Sequence, residues 1–196
     1  MRIISGKFRH QILFDTSKYS DLHPTTDRNR QALFNVLTNG SFLNEISFNL
    51  LDANVLDLCC GTGAIGFEAI SRGAKTVTAI DNNHEHLTIA KKNAEKLKIS
   101  NNCNFILADT KKLPVCNENF DLIFIDPPYS FSYQVIFEEL KKKSYLKKNQ
   151  LVVVESQIKN QSDMENYYKN RFEPLGQKIY GKTIFDFLTP KFGEFN

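Results

Sequence analysis

Apolar residues recur along most of this chain in two alternating rhythms. Short runs rich in branched and aromatic residues have the length and composition of strands: Val55 to Leu58, Thr76 to Ile80, Asn104 to Ala108, Phe120 to Ile125 and Gln150 to Glu155. Between them the spacing becomes helical. One helix is predicted over Ala64 to Ser71, ending near Gly73, and another over Ser132 to Lys143. A third, Glu85 to Leu97, puts Leu87, Ala90, Ala94 and Leu97 on one face. Strands alternating with helices predict an α/β fold with a doubly wound, mostly parallel sheet and right-handed crossovers. Phe172 to Tyr180 and Lys182 to Leu188 flank Gly181 and read as a closing antiparallel pair, which brings the sheet to seven strands. Ahead of this pattern, Arg2 to Phe14 is broken by Ser5-Gly6 and reads as a small β-hairpin. Thr26 is the expected N-cap of a helix that carries Ala32, Leu33, Val36 and Leu37. Residues 1–40 are thus expected to form an extension of the same unit, and residues 41–196 the sheet domain.

Composition narrows the function classes. At 196 residues and 41% hydrophobic, the chain is long enough for one full core. Its apolar runs are too short to span a bilayer, and Met1 to Gly6 lacks the apolar stretch of a leader, so a cytoplasmic protein is expected. The net charge of +3 is unevenly placed. The segment up to Arg30 is basic, and Lys141-Lys142-Lys143 with Lys147-Lys148 forms a second basic run. Both suit a polyanion or a solvated face. The four cysteines lack a Cys-x-x-Cys arrangement and read as free thiols, and the scattered histidines give no metal-ligand spacing.

Open parallel sheets bind ligands beyond the carboxyl ends of their strands, so the residues after each strand matter most. After the first comes Asp57-Leu58-Cys59-Cys60-Gly61-Thr62-Gly63-Ala64-Ile65-Gly66, whose tail matches G-x-G-x-x-G. Asp81, after the second strand and followed by Asn82, is placed to accept ribose hydroxyls. These two features alone fit either NAD or S-adenosylmethionine. Asp57 separates them, because a carboxylate favours a sulfonium and an ammonium and repels a pyrophosphate. Asp109, after the third strand, is a candidate acceptor for an adenine amine. Asp126-Pro127-Pro128-Tyr129 follows the fourth. Its prolines fix the backbone and remove two amide donors, leaving a carboxylate, carbonyls and a ring that suit a planar amine.

At these residues the chain resembles class I S-adenosylmethionine-dependent methyltransferases that act on an exocyclic base amine, with their Rossmann-like sheet. Three further blocks narrow the resemblance to the RsmD family: Arg2 to Arg9; Pro24-Thr25-Thr26-Asp27-Arg28-Asn29-Arg30 with Leu33-Phe34-Asn35; and Glu68 to Ala74 together with Tyr180-Gly181-Lys182-Thr183. The likeness covers nearly the whole chain. It departs at His23, where the family usually has Arg, at Gln31, where it usually has Glu, and at Cys59-Cys60, where Phe-Ala is commoner.

The resemblance implies methylation of guanine N2, at guanine 966 of 16S ribosomal RNA, within the small subunit or an assembly intermediate. S-adenosylmethionine would be consumed and S-adenosylhomocysteine released, by a monomer without a metal. Asp126 and the Pro127 carbonyl would accept the amine's N–H bonds, with Pro128 rigidifying the turn and Tyr129 stacking on the base. Asp57, Gly61, Thr62, Gly63, Asp81, Asn82 and Asp109 would hold the cofactor. Arg9, His23, Thr26, Arg28 and Arg30 are the expected RNA contacts, although Arg28 and Arg30 equally suit a role around the cofactor pocket. The alternatives are an N6-adenine methyltransferase, a dinucleotide oxidoreductase and a non-catalytic RNA-binding assembly factor.

Overall fold

A computed structural model describes residues 1–14, 25–128, 132–157, 167–168 and 170–191. Its centre is a seven-stranded sheet in the order β3-β2-β1-β4-β5-β7-β6. The strands are β1 (Asn54–Leu58), β2 (Thr76–Asp81), β3 (Cys103–Leu107), β4 (Leu122–Ile125), β5 (Leu151–Gln157), β6 (Phe172–Tyr180) and β7 (Thr183–Pro190). The first five are parallel, and β7 runs antiparallel between β5 and β6. The order reverses between β1 and β4, which is where such sheets open a ligand crevice. The central strands bury apolar residues on both faces, among them Val55, Leu56, Ile123, Phe124, Val152 and Val153, because helices cover both sides.

The helices are α1 (Asp27–Asn39), α2 (Ala64–Ser71), α3 (His84–Leu97) and α4 (Tyr133–Lys142). Leu33, Phe34 and Leu37 of α1 join residues of α2 and α3 in the core on one sheet face, and Ile136, Phe137 and Leu140 of α4 pack on the other. Thr26 caps α1, its hydroxyl accepting from the Asn29 amide at 3.2 Å. Among the described residues no helix is long and apolar enough to cross a membrane.

The boundaries differ from the sequence expectation by a residue or two, as at the start of β4. Phe120 is buried but lies ahead of the strand, where Asp121 accepts from the Asn54 amide at 2.8 Å and the Leu151 amide donates to the Asp121 carbonyl. The expected N-terminal hairpin is short: it has one antiparallel bridge, Arg2 to Ile12, and the Ile3, His10 and Leu13 amides donate across it to the carbonyls of Gln11, Ile3 and Met1. Other amides of the segment are engaged elsewhere. Ile4 and Ser5 donate their amides to the Glu68 carboxylate at 2.8 and 3.0 Å. The Phe8 amide donates to Ser71 Oγ, whose hydroxyl donates to the Ser5 carbonyl, and the Phe14 amide donates to Asn93 Oδ1. Buried polar side chains of α2 and α3 therefore take amides that a longer hairpin ladder would have used.

Candidate active site

The chemistry-bearing residues lie where the sheet geometry predicts. Asp57 pairs in register with Phe124, and Phe124 with Val153. Side chains alternate across a strand, so Asp126 and Glu155, each two residues further on, share the sheet face of Asp57. Three carboxylates thus stand on one face at the carboxyl ends of β1, β4 and β5. Asp81, at the end of β2, is the fourth acid of the same rim.

The loop after β1 is shaped by contacts that exclude larger residues. Cys59 turns the chain with a left-handed φ of 58°. Gly63 has φ 79°, and a Cβ there would lie 2.5 Å from the Phe67 ring. At Gly66 a Cβ would come within 2.7 Å of Val77 and 3.2 Å of Asp57 Oδ2. That closeness lets the Gly66 amide donate to Asp57 Oδ2 at 3.0 Å. Asp81 accepts from the Gly61 amide at 2.8 Å and the Asn83 amide at 2.9 Å, with His86 Nδ1 at 3.3 Å. Thr62 is buried, and its carbonyl accepts from Asn93, the residue that also holds Phe14.

Asp126 and Glu155 are linked by one hydroxyl. Thr25 Oγ1 lies 2.8 Å from Glu155 Oε2 and 3.5 Å from Asp126 Oδ2. Glu155 is only 7% exposed, and its carbonyl accepts from the Tyr133 hydroxyl. Burial, and then the neighbouring Glu155, hold the Asp126 carboxyl well above the ordinary carboxylate range. Burial pushes Glu155 up to about 7 against the Thr25 hydrogen bond. Burial likewise raises Asp57 to about 7, with Asp81 adding to the shift. The Cys59 thiol is driven up by burial and by Asp81, Asp126 and Asp57, so it stays protonated and unreactive.

This rim suits a cationic ligand. The described partners of Asp57, Asp126 and Glu155 are amide and hydroxyl donors, which leave their ionised forms poorly compensated. A sulfonium-bearing cofactor brings the missing positive charge, and a pyrophosphate would be repelled. Asp57, the glycine loop and Asp81 would hold it. Among the described residues no cluster of His, Cys, Asp and Glu is arranged to hold a metal.

Other candidates fall elsewhere. Asn82 is exposed, one residue before the α3 N-cap Asn83. Asp109 is exposed and closes its own turn, accepting from the Lys111 amide at 2.9 Å. Pro127 is buried and Pro128 exposed. Tyr129 and His23 lie outside the described residues. Arg9 and Arg28 are exposed, as RNA contacts require. Thr26 is exposed but spends its hydroxyl on the helix cap.

Of the two readings open for Arg30, the structure does not favour the RNA contact. Arg30 is 0% exposed, so its guanidinium is not presented to a phosphate. It binds Asp27 at 2.8 Å, lies 3.9 Å from Glu68, and donates to the carbonyls of Arg2 and Thr25. Burial lowers its pKa from the usual guanidinium value. Glu155 is the residue the sequence reading passed over. It lies near the carboxyl end of an apolar strand with no motif to mark it, and only the register beside β4 brings it to Asp126.

The three sequence blocks turn out to hold one another. Arg2 to Arg9 docks on Glu68 and Ser71; Arg30 ties the Thr25 block to Glu68; and Asn29 donates to Thr183 Oγ1 at 3.0 Å. Gln31, one of the departures, accepts from Arg72 at 3.3 Å.

Comparison with known proteins supplies the family. A family model described as conserved hypothetical protein 95 matches residues 1–189. An uncharacterized methylase of Rickettsia prowazekii is 31% identical, covering 93% of this chain and 94% of its own. Ribosomal RNA small subunit methyltransferase D of Haemophilus influenzae is 33% identical, covering 80% and 79%. The solved structure of yhhF from Escherichia coli superposes with a TM-score of 0.76 at 25% identity, over 97% of this chain and 98% of that one. The match over nearly the whole length, including the blocks that lock the N-terminal segment to α2, places this chain in the RsmD family of methyltransferases, the family of conserved hypothetical protein 95.

Proposed function

We propose that the protein transfers a methyl group from S-adenosylmethionine to the exocyclic N2 amine of a guanine in 16S ribosomal RNA, at guanine 966. The observation that carries this reading is the placement of Asp126-Pro127 at the end of β4, beside Asp57 and the glycine loop of β1. The relative named ribosomal RNA small subunit methyltransferase D supplies the RNA class. The cofactor contributes an electrophilic methyl on a positively charged sulfur.

The chain's own residues do the rest. Guanine N2 is a weak nucleophile because its lone pair is delocalised into the ring. The Asp126 carboxylate and the Pro127 carbonyl accept its two N–H bonds, favour a pyramidal nitrogen and aim the lone pair at the methyl carbon. Asp126 also stabilises the positive charge that grows on the nitrogen. Tyr129 is proposed from sequence to stack on the extruded base, worth about 1–3 kcal/mol if it behaves like other base–aromatic stacks. Asp81 takes the ribose hydroxyls of the cofactor, and the backbone of Gly61 to Gly63 follows its methionine arm.

Residues 1–40 serve as the RNA-docking extension of a monomeric cytoplasmic enzyme, with Arg9 and Arg28 on phosphates. The small subunit or an assembly intermediate is the proposed substrate particle.

The test is methyl transfer from labelled S-adenosylmethionine to unmodified small-subunit particles, followed by nucleoside digestion and mass identification. N2-methylguanosine mapped to the proposed site is the expected product. N6-methyladenosine would keep the fold and the role of Asp126 but overturn the base assignment. Cofactor binding without transfer to any ribosomal RNA would favour an assembly factor.

A further inference from the structure

Behind Asp126 lies a second carboxylate that neither the sequence motifs nor the family likeness assigns. We propose that Glu155 is a positioning residue for methyl transfer, acting through the Thr25 hydroxyl on Asp126 so that the two carboxylates together receive the proton the amine loses. This rests on the reading of Asp126 as the amine's partner.

The geometry is specific. Glu155, near the carboxyl end of β5, and Asp126, just after β4, lie on the same sheet face of adjacent parallel strands, and Thr25 Oγ1 stands within reach of both. Thr25 is itself fixed, because Arg30 donates to its carbonyl at 3.4 Å while paired with Asp27. A hydroxyl carries one proton and two lone pairs. It can donate to one carboxylate while accepting from the other when that one is protonated, which makes it a two-way connector. Two carboxylates this close raise each other's affinity for a proton, so the pair that is fully ionised at high pH is primed to take one proton and share it through Thr25.

The chemical step balances around this pair. The nitrogen–methyl bond forms as the sulfur–methyl bond breaks, with its electron pair returning to sulfur. The nitrogen then sheds one proton to Asp126. Asp126 can pass a proton to the Thr25 oxygen as Thr25 gives its own to Glu155. The negative charge of Glu155 also makes Asp126 a stronger base than a lone buried aspartate facing a neutral neighbour.

The groups that face this pair among the described residues are Asp57 and Cys59 at the end of β1, with Asp81 acting on Asp57 from β2. Arg30 approaches from α1 through the Thr25 carbonyl, and Tyr133 from α4 reaches the Glu155 carbonyl. On β7 the residue opposite Glu155 is the apolar Phe185.

Single-turnover methyl transfer measured against pH, on the full chain with small-subunit particles, tests the idea. Glu155→Gln should lower the high-pH rate by about 100-fold, the lower end of the range for proton-transfer catalysis. It should also move the acid limb of the profile to lower pH, because the like charge beside Asp126 is gone. Binding of S-adenosylmethionine and the melting temperature serve as controls. Thr25→Val should reproduce the rate loss, and Thr25→Ser should restore the rate. An unmoved acid limb in Glu155→Gln, or equal losses in Thr25→Val and Thr25→Ser, would show a structural role only and overturn the proposal. If Asp126→Ala retains full activity, the reading of the site fails, an outcome distinct from an inert Glu155→Gln in an enzyme that needs Asp126.

Discussion

Asp126 reaches Thr25 with one carboxylate oxygen at 3.5 Å, while Pro127 behind it is buried and donates no amide. A residue held this way can act on a substrate amine without taking part in the glycine loop. Asp126→Ala should therefore lower methyl transfer by about 1,000-fold or more, by removing both acceptor and charge stabilisation. Its affinity for S-adenosylmethionine, measured by calorimetry, should stay within a few-fold, and near-normal turnover would remove Asp126 from the chemistry. At this scale the sequence is legible where spacing declares a role. Asp57, Gly63 and Asp81 stand at strand ends that the alternation itself predicts. Thr25, Arg30 and Glu155 were less legible for one physical reason: each works through a partner distant in sequence. The Thr25 and Glu155 side chains meet across 130 positions. Arg30 looks like any arginine in a basic segment until its burial against Glu68 is seen.

The elements depend on one buried ionic hub. Glu68 is 0% exposed and accepts from two amides of the N-terminal segment, from Arg72 at 2.7 Å, and faces Arg30 at 3.9 Å. Removing one side of such a group strands the buried charge of the other. Glu68→Ala should cost about 3–5 kcal/mol, a fall in melting temperature of about 10 °C for a domain of this size. Loss of helix is not the expected cause, since alanine favours helix. Detachment of residues 1–14 is, and it should appear as faster proteolysis ahead of Phe14. A melting temperature within a degree of wild type would show that the hub is not structural. The same segment carries Arg9, exposed at the turn, and Arg28 stands exposed on the first turn of α1. Replacing both with alanine should weaken RNA binding and flatten its salt dependence by about two phosphate contacts, leaving cofactor affinity unchanged. An unaltered salt slope would place the RNA elsewhere. The alternation of strands and helices made the elements from β1 to β7 readable to within a residue or two. The N-terminal hairpin is shorter than apolar alternation suggests, because alternation cannot reveal that Glu68, Ser71 and Asn93 take several of its amides.

On the scale of the whole molecule, the crevice acids set how stability follows pH. Asp57 and Glu155 titrate near 7 in the folded chain, against 3.8 and 4.5 as ordinary values, and Asp126 is also raised. Between about pH 4 and 7 the folded protein therefore holds more protons than the unfolded chain. Stability is greatest at the acid side of this window as far as these groups decide it, and falls as pH rises through the folded pKa values. The cofactor-free protein should lose several degrees of melting temperature across that window, and Asp57→Asn should lose fewer. A bound sulfonium reverses the balance by favouring the ionised acids. Affinity for S-adenosylmethionine should then rise with pH toward and through about 7. S-adenosylhomocysteine lacks that charge, so its affinity should change less, and the enzyme should discriminate against its product most strongly at the basic end. Calorimetric titration of both ligands from about pH 5.5 to about 8.5 checks this. Parallel profiles for the two, with a flat melting curve, would mean that the acid rim is neutralised by something other than the cofactor's charge.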